Sequence, residues 1–244
     1  MENKSCWFET WFNSEYYHIL YKNRDENEAA LFIDKLLHHF KAQQENRFWD
    51  MACGRGRHAI HINKKGFDVT GTDLSAHSIN YASQFENEKL RFYTHDMRNP
   101  FVSNYFDFVL NLFTSFGYFE TRNEELKVFS TAYTALKPGG FFVLDYLNTD
   151  KIAAKLVPYE EKEVEGIRFR ISKSVLDRFI IKRIQFSDKG KEYDFCEKVK
   201  LFSHDYFVEL ARAVNFKPVN VFGDYSLSNF DPGSSDRLIC VFQK

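Results

Sequence analysis

Between Arg47 and Leu147 the sequence alternates short apolar runs with amphipathic helical segments, and few folds accept that order. The runs RFWDM, FDVTGTD, LRFYTHD, YFDFVLNLF and GFFVLDYL read as strands, and RHAIHINKK, AHSINYASQFE and NEELKVFSTAYTALK as helices. Strands alternating with helices of this size form a parallel sheet covered on both faces, with right-handed crossovers. Such sheets bind ligands beyond the carboxyl ends of their strands. Here those ends are Asp50 to Gly56, Asp73, Asp96 and Asn111 to Ser115.

Two helices precede the first strand. Ser14 can cap EYYHILYKN, and Asp25 can cap ENEAALFIDKLLHHF, where Ala29, Phe32, Ile33, Leu36, Leu37 and Phe40 form a helical stripe. After Thr149 the pattern changes. VEGIRFRISKSV, RFIIKRIQF and YDFCEKVKLF read as three antiparallel strands with one wet face, the last two joined by the turn SDKGKE. Ser203 then caps SHDYFVELARAV, Asn215 supplies a left-handed stop, and PVNVFGDY and DRLICVFQ close the chain as strands. The predicted architecture is α/β: a Rossmann-like doubly wound sheet, mostly parallel with a C-terminal antiparallel strand, plus a small antiparallel β insertion. Its expected divisions are an N-terminal segment at 1–44, the main domain at 45–150 and 203–244, and the insertion at 151–202.

Thirty-three basic and thirty-four acidic residues leave a formal charge of -1, so no global field draws the chain to nucleic acid or an anionic membrane. The basic alternating strands carrying Arg168, Arg170, Lys173, Lys182 and Arg183 keep open a nucleic-acid or anionic substrate, though they read more readily as a solvated sheet face. No segment approaches the ~20 apolar residues that span a bilayer, and the expected location is cytoplasmic. Cys6, Cys53, Cys196 and Cys240 lie far apart with no C-x-x-C pair, which signals neither a zinc site nor a disulfide framework. His58 and His61 share a helix face, but without a third ligand in the sequence they do not make a metal site.

Gly54-x-Gly56-x-x-Ala59 has the spacing of a dinucleotide fingerprint, with Asp73 near the place of a ribose-binding acid. Asp50 argues against a pyrophosphate, because a carboxylate just before the turn repels one. It suits a ligand with a positive charge close to the glycines. Asp73 then offers a bidentate acceptor for a ribose diol, and Asp96 an acceptor for an exocyclic amine. Each Asp taken alone also reads as a cap for the next helix or turn.

The segments DMACGRG, GTDLS, THDM and LKPGGFFVLD together resemble the class I S-adenosylmethionine-dependent methyltransferases over roughly residues 46–147. The resemblance implies S-adenosylmethionine as cofactor and S-adenosylhomocysteine as product. It further implies a cofactor site of Asp50, Ala52, Gly54, Gly56, Asp73, Leu74, Asp96, Met97 and Asn111. Asn111 to Phe119, NLFTSFGYF, is similar to small-molecule and uncharacterised bacterial members; Leu112 and Phe113 stand where the nucleic-acid and glutamine N-methyltransferases carry prolines. The segment SEYYHILYKNR resembles a lid helix of members that methylate amino-sugars. It suggests Tyr17 and Tyr21 over the sulfonium and Arg24 on the methionine carboxylate, and casts the β insertion as a substrate cap.

A sulfonium methyl is already activated, so alignment and exclusion of water are the main tasks. Where the acceptor needs a base, the candidates are His18, His95, Tyr118 and Tyr146. The expected function is methyl transfer to nitrogen or oxygen of a small-molecule acceptor by a monomer or homodimer. The rival readings are a nicotinamide-dependent oxidoreductase and a cofactor-binding protein without activity.

Overall fold

The computed structural model describes residues 7–22, 26–154 and 156–244. In chain order the helices are α1 (Trp7–Phe12), α2 (Glu15–Leu20), α3 (Glu26–His39), α4 (Arg57–Lys64), α5 (Ala76–Ala82), α6 (Arg122–Ala135), α7 (Thr149–Ala154) and α8 (His204–Ala213). The strands are β1 (Arg47–Met51), β2 (Asp68–Asp73), β3 (Leu90–Thr94), β4 (Phe106–Asn111), β5 (Leu136–Leu147), β6 (Tyr159–Val164), β7 (Ile167–Leu176), β8 (Phe179–Asp188), β9 (Lys191–Lys200), β10 (Lys217–Phe222) and β11 (Arg237–Gln243). The chain divides into two compact units. One holds residues 25–151 and 202–244, the other 1–24 and 152–201, so the expected N-terminal segment is shared between them.

The larger unit is built on a seven-stranded sheet of order β10-β11-β5-β4-β1-β2-β3. Only β11 runs antiparallel to its neighbours β5 and β10, which matches the doubly wound expectation. The chain leaves β1 for β2 and β3 on one side and returns through β4 and β5 on the other, so the strand order reverses between β1 and β4. A ligand crevice belongs at that reversal. Strand alternation divides the core. Phe48, Val69, Phe108, Leu110 and Val143 meet Phe32, Ile33 and Leu36 of α3 and Ala59 and Ile62 of α4. On the opposite face Phe142 and Phe242 meet Phe129 of α6 edgewise, and Phe216 stacks on Phe142 and lies tilted to Phe242.

Caps fix where the helices begin. Ser203 accepts from Tyr206 N–H, as its position predicts, Ser75 accepts from Ser78 N–H, and Asn215 adopts the left-handed φ of 70° that stops α8. Thr121 and Glu124 form a reciprocal capping box on α6. Ser14 caps α2, which ends at Leu20 with Tyr21 as its C-cap, short of the expected Asn23. Asn23 and Asp25 lie outside the described residues.

The smaller unit is a four-stranded antiparallel meander, β6-β7-β8-β9, not the three strands expected. The strand left out, β6, reads YEEKEV: its charges hide any apolar alternation, and it sits at the edge, where charge discourages further pairing. Its three hairpins turn through Glu165-Gly166, Asp177-Arg178 and Lys189-Gly190, each with positive φ at both residues. That geometry suits the twist of two-residue hairpins. One face of the sheet buries Ile167, Phe169, Ile171, Ile184 and Phe186 against Trp11, Tyr16 and Leu20 of α1 and α2. Neither α1 nor α7 is legible in the sequence, since six residues do not display a helical period. Among the described residues no helix is long and apolar enough to cross a membrane.

Candidate cofactor site at the carboxyl ends of β1 to β4

The turn after β1 is built from left-handed backbone: φ is 60° at Ala52, 56° at Gly54 and 80° at Gly56. A Cβ on Gly54 would meet nothing within 4 Å, whereas one on Gly56 would lie 2.6 Å from the Phe92 ring. Gly56 is therefore required by packing, and Gly54 borders open space that a ligand can fill. Gly56 is the N-cap of α4 and has no side chain to cap with. Asp50 supplies the missing acceptor from inside β1, its Oδ2 taking the Ala59 N–H at 3.1 Å. Asp73 ties the same turn to β2: Oδ2 accepts from Gly54 N–H and Oδ1 from Ser75 N–H, both at 2.8 Å.

The capping reading of Asp50 and Asp73 therefore holds, and it leaves acceptor capacity for a ligand. Each uses part of its acceptor capacity on backbone, and a carboxylate has about four lone-pair sites. Asp50 is 1% exposed. Burial pushes its carboxyl from 3.8 up to about 7; the Ala59 N–H and Arg57 oppose the rise, and the neighbouring Asp73 charge adds to it. Burial also raises Asp73, against the pull of the Ser75, Gly54 and Leu74 N–H groups. Two acids that resist ionisation in one place favour a cationic ligand and repel a pyrophosphate.

At the next strand ends, Leu74 is exposed beside Asp73. Asp96 is held by Arg98, whose Nε lies 3.0 Å from both carboxylate oxygens and whose Nη2 lies 2.6 Å from Oδ2. Burial alone would raise Asp96, but the Arg98 hydrogen bonds outweigh it and hold the carboxyl below its ordinary value. Asn111 closes β4 and is fully buried. Its Nδ2 donates to Met51 O at 3.3 Å and contacts Met97 Sδ at 3.6 Å, which leaves Oδ1 without a protein partner. An orphaned acceptor at the strand reversal is a position for a ligand N–H. The open space at Gly54, the acid pair and the Asn111 oxygen together fit a ligand with an ammonium at one end and a nucleoside at the other.

Beyond Asn111 the chain is strained, with φ of 61° at both Phe113 and Thr114. Buried Asp145 at the end of β5 holds this corner. Its Oδ2 accepts from Phe113 N–H at 2.8 Å and from the Tyr225 hydroxyl at 3.1 Å, and its Oδ1 from Arg237 Nε at 2.8 Å. Arg237 also donates to Thr114 Oγ1 at 2.9 Å. Tyr225 and Arg237 escaped sequence reasoning because they come from the last forty residues, far from the motifs they support. The only signal was Arg237 starting an otherwise apolar strand.

The base candidates are dispersed. His95 Nε2 is 3.0 Å from Asn99 O, a bond in which the ring donates. The Tyr118 hydroxyl donates to Thr114 O. Tyr146 is fully buried, which pushes its hydroxyl well above 10 and keeps it protonated. His18, Tyr17 and Tyr21 belong to the smaller unit. There the Tyr17 and Tyr21 rings meet edgewise at 5.0 Å, and the Tyr21 hydroxyl donates to Glu197 at 2.6 Å and accepts from Lys182. Arg24 lies outside the described residues. His61 pairs with Asp34 at 2.8 Å and His58 lies 3.5 Å from Arg57. Among the described residues no three potential metal ligands come together.

A family model described as a methyltransferase domain matches residues 48–140, the stretch that carries these acids. That match, the methyltransferase relatives and the methyltransferase structures described below support a class I S-adenosylmethionine-dependent methyltransferase. It is 34% identical over 113 residues to the putative methyltransferase YqeM of Bacillus subtilis, covering 45% of this chain and 46% of that one. The chain thus spans less than half the length of that relative. A glycine/sarcosine N-methyltransferase of Halorhodospira halochloris is 28% identical over 93% of this chain and 84% of its own length. Among solved structures, an S-adenosylmethionine-dependent methyltransferase of Clostridium acetobutylicum shares the fold with a TM-score of 0.78 over 93% of this chain and 95% of that one, at 16% identity. These likenesses favour the methyltransferase reading over the nicotinamide one. Asp50 and the glycine turn lie within the matched stretch.

Proposed function

We propose that this methyltransferase transfers the S-adenosylmethionine methyl group to an amine nitrogen of a small-molecule acceptor. The observation that carries the reading is the pair of acids at the glycine turn, the buried Asp50 tied to the first turn of α4 and the half-buried Asp73 tied to Gly54, which faces open space. When bound, the cofactor supplies a methyl carbon already activated by its sulfonium. The protein's work is binding and alignment. Asp50 compensates the ammonium of the methionine end, Asp73 accepts the ribose hydroxyls, and Asp96 and Met97 border the adenine. The strained corner at Phe113 and Thr114, fixed by Asp145 and Arg237, gives the acceptor a rigid wall; a fixed reacting geometry supplies much of the rate.

Nitrogen is favoured over oxygen by the glycine/sarcosine N-methyltransferase relative, which aligns with 93% of this chain. Incubation with radiolabelled S-adenosylmethionine and a panel of amino acids, amino-sugars and matched alcohols tests this reading. Label transfer to an amine and to none of the alcohols is expected; transfer to alcohols alone would refute the nitrogen assignment.

A further inference from the structure

The Asp96 carboxylate is already occupied. Oδ1 accepts from Arg98 N–H at 2.9 Å and from Arg98 Nε at 3.0 Å, and Oδ2 accepts from Nε at 3.0 Å and Nη2 at 2.6 Å. These contacts take up most of the in-plane capacity of a carboxylate, so an adenine amine arriving at Asp96 finds it engaged. Arg98 also has a second acid within reach. Nη1 donates to Glu124 Oε1 at 2.6 Å, and the guanidinium sits 5.1 Å from the centre of the Phe119 ring. Glu124 is itself fixed, its other oxygen accepting from Thr121 N–H at 3.1 Å and Thr121 Oγ1 at 2.9 Å in the capping box of α6.

We infer that Arg98 competes with the cofactor's adenine for Asp96 and, when adenine is bound, releases Asp96 while keeping Glu124 and Phe119. The inference rests on the reading of the cofactor site given above. Both ends of the exchange are partly exposed: the side chains of Asp96, Arg98 and Glu124 are 21%, 25% and 26% accessible. Ion pairs in that setting are weak enough to trade partners. The contact it keeps is not neutral ground. Phe119 ends the loop that begins at Thr114, and Glu124 begins α6, so the exchange carries occupancy of the adenine position to the loop proposed to wall the acceptor. Arg98 is thus a positioning residue that sets cofactor affinity and reports cofactor binding to the acceptor side.

The direction of an affinity change tests this, because loss of a merely structural arginine does not tighten binding. Calorimetric titration with S-adenosylhomocysteine should show Arg98→Gln binding about two- to fivefold tighter than wild type, the worth of a partly exposed ion pair. Arg98→Lys, which keeps the charge and loses the fork, should fall between the two. Glu124→Gln should bind more weakly, since Arg98 then has no second acid and stays on Asp96. Weaker or unchanged binding by Arg98→Gln would overturn the competition. If that variant fails to fold, Arg98→Lys and Glu124→Gln decide by their signs, and an inversion of either overturns it. Wild-type protein that does not bind S-adenosylhomocysteine at all would overturn the cofactor reading as well as the inference built on it.

Discussion

At the scale of single residues, Asp50 shows how a binding site costs stability. Its carboxyl titrates near 7 in the folded protein against 3.8 ordinarily, because it is buried beside Asp73. The folded chain therefore holds this proton more tightly than the unfolded chain between those values. Its contribution to stability is present at low pH and is lost as pH rises through about 7. Asp50→Asn keeps an acceptor for Ala59 N–H and removes the buried charge. At pH 8 the empty variant should unfold at a higher temperature than wild type, by about 1 kcal/mol or more, while binding S-adenosylhomocysteine less well. Wild-type affinity should rise as pH increases through 7, where Asp50 ionises to meet the ligand's ammonium, and this dependence should flatten in Asp50→Asn. A variant that is less stable at pH 8 and binds normally would contradict the account. Gly54→Val places a side chain in the open space at the turn and forces a β-branched residue to φ 56°, a strain of about 1–3 kcal/mol. Circular dichroism should show it folded, and calorimetry should detect no ligand.

At the scale of elements, strand ends were legible and the supports behind them were not. Asp50, Asp73, Asp96 and Asn111 end or nearly end apolar runs, so a sheet of known direction puts all four on one edge. Arg98 escaped notice because its importance is a contact with Asp96 and Glu124, not a position in a pattern. β6 escaped because four consecutive charged residues disguise a strand that only its partner β7 defines. The corner at Phe113 and Thr114 is the clearest case. Its φ values are held by Asp145, Tyr225 and Arg237, drawn from β5, β11 and the loop before β11. Arg237→Ala leaves Asp145 buried with its charge uncompensated, a loss of about 3–5 kcal/mol. The expected result is a lower unfolding temperature together with weaker acceptor binding. An unchanged unfolding temperature would mean that the pair does not fix the corner.

At the scale of the whole molecule, the doubly wound sheet puts the ends of β4, β1 and β2 side by side where the strand order reverses, the place where sheets of this kind bind ligands. The smaller unit is organised by different rules. Its sheet is stitched by left-handed two-residue turns, and its covered face buries Trp11, Tyr16 and Leu20. The N-terminal helices are thus structural partners of the insertion, with the Trp11 indole and the Tyr21 hydroxyl both donating to Glu197. No periodicity in either segment announces that pairing, because it depends on residues nearly two hundred positions apart. The central claim, a cofactor site at the glycine turn, meets its most direct test in calorimetric titration of the purified chain with S-adenosylhomocysteine, with NADH as competitor. The account predicts saturable binding at one site per chain that NADH does not displace and that Gly54→Val abolishes. Absence of binding, displacement by NADH, or normal binding by the folded Gly54→Val variant would contradict it.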